Sequence, residues 1–176
     1  MLRFINLLIV ALASVALGQQ HWPYKPPTNG DELVLTAITA ADGNSIFECW
    51  RLDAIFRPPP GAPADGAVGV PLGNVSSASY NIIPADFNGG LHNAPSRQFV
   101  LFASGHVRVK LPNSTDELWI TGGNEGLIIA ADTADVSRYG HIITTDPGEV
   151  VASLQMPLAH GLDFEHEVVH PGPCNK

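Results

Sequence analysis

The sequence predicts an all-β sandwich or barrel, on three observations. No segment carries a helical apolar period. Short runs rich in Val, Ile, Thr and aromatic residues recur, each bounded by Gly, Pro, Asn or Asp. Such turn signals return about every 8–12 residues, as in sandwiches and barrels rather than in βαβ units.

In order, Gln19 to Gly30 (QQHWPYKPPTNG) is rich in Pro and polar residues and reads as an extended N-terminal arm. Glu32 to Thr39 (ELVLTAIT) is a strand candidate, and Asp42-Gly43-Asn44 is a turn. Ser45 to Phe56 is a second strand, with Glu48, Trp50, Leu52 and Ala54 on one face and Phe47, Cys49, Arg51 and Asp53 on the other. Arg57 to Gly73 (RPPPGAPADGAVGVPLG) has too much Pro and Gly for a regular element. It is either a loop packed on the barrel surface or a lid at its rim.

From Ser76 the pattern becomes regular. Ser77 to Ile83 is a strand ended by Pro84, Gly90 to His92 is a short one, and Arg97 to Ser104 a long one. His106 to Leu111 (HVRVKL) alternates cleanly, so Val107, Val109 and Leu111 face a core and His106, Arg108 and Lys110 face water. Glu117 to Thr121 is short, with Trp119 expected to pack. Leu127 to Ala131 is apolar enough to be buried on both faces, and Asp132 to Tyr139 is a polar connection. Gly140 to Thr145 and Glu149 to Met156 flank the turn Asp146-Pro147-Gly148. His160 to Lys176 reads as a tail with three histidines, which solvation explains better than a surface metal site.

Composition narrows the setting. Arg3, the apolar run Phe4 to Leu17 and the small residues Ala16 and Gly18 match a secretory signal peptide over residues 1–18, cleaved before Gln19. The run falls short of the roughly 20 apolar residues that span a bilayer, so the mature chain is expected to be extracellular, with no membrane partner. Residues 19–176 then form one domain: an arm over 19–31, a core over about 32–156 and a tail over 157–176. The whole chain has 9 Lys and Arg against 17 Asp and Glu, a net charge of −8. Its scattered basic residues argue against nucleic acid as a partner. The two cysteines, Cys49 and Cys174, lack partners at metal-ligand spacing and are expected to form a disulfide in an oxidising compartment. Asn74-Val75-Ser76 and Asn113-Ser114-Thr115 are acceptor sequons in turn-like surroundings.

The segment from Leu91 to Gly105 (LHNAPSRQFVLFASG) places a histidine where a Gly-rich turn meets a rigid strand. Its spacing, His92-x-Ala94, three residues, Gln98, six residues, Gly105, resembles the first motif of the cupins, in which a second His and a Glu stand where this chain has Ala94 and Gln98. For the second motif, Gly126 would open it and His141 would be its histidine, with Asp132 near the place of the proline and Thr145 in that of the asparagine. The resemblance covers roughly Ala78 to Met156, and is nearest to short cupins with His-Asn-Ala-Pro at the first motif and Asp…Gly-His at the second. It implies a double-stranded β-helix (cupin/jelly-roll-like) barrel, and the family pairs often enough to imply a homodimer.

Carried over residue by residue, the resemblance implies a metal set of His92, Gln98 and His141, suited to a divalent transition metal whose identity stays open. Asp132 is a further carboxylate if its loop folds inward, and Asn93 another donor. A metal-free alternative makes His141 a positioned catalytic base with Asp132 or Asp135 as its partner. A third reading makes both histidines structural. There is no Gly-x-Ser-x-Gly elbow, phosphate loop, His-Glu-x-x-His or CxxC in the sequence. Three roles remain: an enzyme on a small polar substrate, a binding module with Trp50, Phe87, Phe99 or Tyr139 lining its pocket, or a structural or interaction protein.

Overall fold

The Asp42-Gly43 dipeptide closes the first hairpin as a two-residue turn. Both residues have positive φ, 51° and 76°, and Ala41 pairs with Asn44. Positive φ at both central positions suits the right-handed twist of the flanking strands, hence Asp-Gly. The hairpin joins β1 (Glu32–Ala41) to β2 (Asn44–Ile55). The structure, a computed structural model, describes residues 25–61, 66–160 and 162–174; the expected signal peptide over 1–18 lies outside them.

All regular elements among the described residues are strands. After the hairpin come β3 (Ser79–Ile83), β4 (Asn88–His92), β5 (Gln98–Phe102), β6 (His106–Lys110), β7 (Glu117–Thr121), β8 (Leu127–Ala130), β9 (His141–Thr145), β10 (Val151–Pro157) and β11 (His166–Pro171). They form a seven-stranded sheet, β11-β2-β1-β8-β5-β10-β3, and a four-stranded sheet, β4-β9-β6-β7. Every named pairing is antiparallel except β1 with β8. The all-β class is as expected. The strands are arranged as two separate sheets with free edges rather than as one closed barrel.

One core lies between the sheets. Ile38, Phe47, Val100, Phe102 and Ile128 of the larger sheet meet Val107, Val109, Leu118 and Ile120 of the smaller. The clean alternation of β6 puts its valines here and sends Arg108 and Lys110 outward, as its sequence predicts. A second core covers the opposite face of the larger sheet. Leu33, Leu35, Trp50, Leu52, Phe99 and Ile129 lie there under Val70, Leu72 and Phe164. Strands covered on both faces lose the inside-outside alternation, which is why β1 and β8 read as nearly continuous apolar runs.

The second core assigns the Pro-rich segment. Val70 and Leu72 pack on the sheet and Arg57 and Gly69 exchange two backbone hydrogen bonds of 2.9 Å, so its described part is a packed loop rather than a lid. The reading of 157–176 as a tail needs correction: it contributes β11, which extends the larger sheet beyond β2. Phe164 is buried against Trp50 and Phe99, and His166 stacks on Trp50 with ring centroids 3.5 Å apart. Cys174 is joined to Cys49 as expected, and its backbone N–H donates to Thr36 Oγ1, on the residue opposite Cys49 in the β1–β2 register. Trp119 corrects a second expectation. It lies on the outer face of β7, 59% exposed, with the Arg108 guanidinium 4.8 Å from its ring centre.

Candidate functional site

His92 ends β4 and His141 begins β9, and the antiparallel register sets them directly opposite each other. Side chains at such a position share a face, and the two ring centroids are 4.6 Å apart. Gly140 makes the approach feasible. A Cβ on this residue would lie 2.0 Å from the carbonyl oxygen of His92, and its φ is +71°. Any side chain there would push β4 away from β9.

Each imidazole is held from behind. His92 Nδ1 lies 3.0 Å from the Gly90 carbonyl oxygen, and because a carbonyl only accepts, Nδ1 carries the proton. His141 Nδ1 donates to Asp132 Oδ2 at 2.7 Å. These bonds place the Nδ1 proton, so the neutral form of each ring has its lone pair on Nε2. His92 is half-buried, whereas His141 is 3% exposed and Asp132 fully buried.

Asp132 sits in a network. Its Oδ2 also accepts from Ser45 Oγ at 2.7 Å. Having spent its one proton there, Ser45 accepts from Ser137 Oγ, also at 2.7 Å. Ser137 in turn accepts from the Gly140 backbone N–H at 3.1 Å. The Asn93 amide donates to the carbonyl oxygens of both Asp132 and Ser137, at 3.0 and 2.9 Å. The connection from Asp132 to Gly140 is thus tied to the β1–β2 hairpin, to the end of β4 and to His141. Ser45 is not a nucleophile on this geometry, because its proton goes to the carboxylate rather than to an imidazole.

Two buried acceptor-only oxygens are left over among the described residues. Gln98 Oε1 and Asp132 Oδ1 have no hydrogen-bond partner. Gln98 pairs with Ala130, two residues before Asp132 on the adjoining stretch, so both side chains leave the larger sheet on the face that meets the smaller one. Unpaired acceptors in such a place cost about 1–3 kcal/mol each unless a donor or a cation meets them.

The structure therefore brings together His92, His141 and Asp132, and sets Gln98 on the same inner face. Ala94 is buried in the core and supplies no ligand. Asp135, the other carboxylate considered for His141, is exposed, and its carboxyl is held below its ordinary pKa by hydrogen bonds, first from Thr133. The aromatic lining needs correction: Trp50 and Phe99 belong to the second core, on the face of the larger sheet away from the histidines. Phe87 and Tyr139 are partly exposed. A cleft of about 930 Å³ opens beside the segment following His92, with Asn93, Arg97, Thr133, Asp135, His160 and Asp163 on its wall. Asn74 is exposed on an irregular stretch and Asn113 on a turn. Ser45 and Ser137 leave no signal in the sequence, Ser45 being 87 residues from Asp132, whereas Gly140 shows there as the Gly-His that follows Asp132.

No family model matches the chain, and no curated protein does. Among solved structures, the capsular polysaccharide assembling protein CapF from Staphylococcus aureus is similar at 13% identity and a TM-score of 0.35, over 77% of this chain and 34% of that one. This chain thus spans about a third of the length of that protein. Among the described residues no helix is long and apolar enough to cross a membrane.

Proposed function

We propose that the chain is a secreted cupin-like protein that binds a divalent transition metal at the His92–His141 pair, with Gln98 Oε1 as a third donor. The observation that carries this reading is the anchoring of both Nδ1 atoms, one on a backbone carbonyl and one on a buried carboxylate. Metal-ligating histidines are oriented in this way from behind. The donor set fits such an ion, but loosely. Two imidazoles and a neutral amide lack the carboxylate that would hold a divalent cation tightly, and Ala94 removes a further ligand. Bound, the metal would act as a Lewis acid toward a small polar ligand. The two sheets fit a double-sheet jelly roll, which supports the cupin reading, and the Cys49–Cys174 disulfide suits an extracellular setting.

A second reading is favoured by the 2.7 Å His141–Asp132 bond: a metal-free site in which this pair acts as acid and base on a small polar molecule. Elemental analysis and metal titration of the full chain, beside the His92→Ala/His141→Ala variant, separate the two. The metal reading expects one equivalent of a transition metal that the double variant loses. Metal content unchanged in that variant rejects it. A small-molecule ligand taken up by the metal-free protein and lost with His141 supports the second reading.

A further inference from the structure

We propose a second, independent divalent-cation site at the opposite end of β9, formed by His106, Asp146 and Glu149. One ligand atom from each residue lies within 4.8 Å of the other two. The three come from two places that the topology joins. His106 is the first residue of β6, and β6 pairs with β9 so that Val107 faces Thr145, just before Asp146. Pro147-Gly148 then turns the chain, with Glu149 N–H on Asp146 O at 3.4 Å, and brings the Glu149 carboxylate back over His106.

The donors are held before any ion arrives. Glu149 Oε2 accepts from the His106 backbone N–H at 3.1 Å and lies 2.7 Å from His106 Nδ1. The preceding turn is tied to β10 through Ala103 N–H on Ala152 O and Ala152 N–H on Ser104 Oγ. One imidazole nitrogen and two carboxylates make a nitrogen–oxygen set for Zn²⁺ or a similar ion, which would replace the proton now shared between His106 and Glu149 and keep an open coordination position toward solvent. The two negative charges supply what the His92–His141 pair lacks. His106, Asp146 and Glu149 bracket the passage from the smaller sheet into β10 of the larger one, so the ion would clamp one sheet to the other. Asp146 lies five positions after His141 along β9, roughly 16 Å away, so the two sites are distinct.

The test is calorimetric titration of the full chain with Zn²⁺ alone, in the His92→Ala/His141→Ala background and in the wild type. Binding of one equivalent in the double variant, weakened at least tenfold by His106→Gln or Glu149→Gln and shifting the His106 ring signals in NMR spectra, is the expected result. Asp146→Asn, which leaves the backbone turn in place, should weaken binding in either background. An unchanged melting temperature in chelator would show that these surface variants still fold. Zn²⁺ binding that is absent from the wild type, or that none of the three substitutions alters, would overturn the proposal.

Discussion

At the scale of single residues, the candidate site rests on atoms whose replacement has a calculable direction. Asp132 takes hydrogen bonds from Ser45 and His141, and all three residues are buried. Asp132→Ala would leave both donors buried and unpaired, at a cost of roughly 3–5 kcal/mol. Asp132→Asn keeps an accepting oxygen and should cost less. Urea denaturation of the two variants reads the difference, and equal losses would contradict the network described. Gly140→Ala acts differently. Its Cβ would meet the His92 carbonyl at 2.0 Å, so β4 must separate from β9. We expect lower stability together with faster amide exchange at the end of β4, and exchange confined to other strands would refute the close approach.

At the scale of elements, β11 and the β6–β7 pair show how edge strands are fastened. β11 lies at the edge of the larger sheet and is followed by Cys174, whose disulfide to Cys49 spans a sequence separation of 125. Closing so long a loop contributes up to about 5 kcal/mol on the chain-entropy account. Cys49→Ser/Cys174→Ser should therefore lose several kcal/mol, with exchange protection falling first along β11. In the smaller sheet, Arg108 of β6 grips Glu117 of β7, and that hydrogen bond holds the Glu117 carboxyl below its ordinary pKa. A lowered carboxylate pKa stabilises the folded state at neutral pH, and the benefit is lost as the pH falls through the lowered value. The gap in melting temperature between wild type and Glu117→Gln should accordingly close below the usual carboxylate range. A gap of constant size down to that pH would show that the ion pair contributes nothing.

At the scale of the whole molecule, the centre of the larger sheet is buried on both faces, by the smaller sheet on one and by irregular chain on the other. Phe164 closes the second core, packing edge-on against Phe99 at 4.9 Å. Phe164→Ala should cost about 3 kcal/mol or slightly more, comparable with a deletion in the first core such as Phe102→Ala. Denaturant midpoints of the two variants test whether the covering segment is integral to the fold. A negligible loss at Phe164 would make it a detachable flap.

The sequence by itself determined the all-β class, most strand positions, the disulfide partners, and His92 and His141 as residues of interest. Local physics suffices for these. Alternation in β6, Asp-Gly between β1 and β2 and Pro-Gly between β9 and β10 follow from chain geometry, and two cysteines allow one intramolecular pairing. Tertiary structure alone decided what lies on the far side of the larger sheet. β11 carries charged and exposed residues that resemble a solvated tail until they pair with β2, and Trp119 reads as core until its face of β7 turns outward. Only the fold brings Ser45 to Asp132 and His106 to Glu149, because such contacts depend on how β1, β6 and β9 are ordered in their sheets. Strand order is fixed by long-range pairing and by covered surface, and neither leaves a periodic trace in the chain.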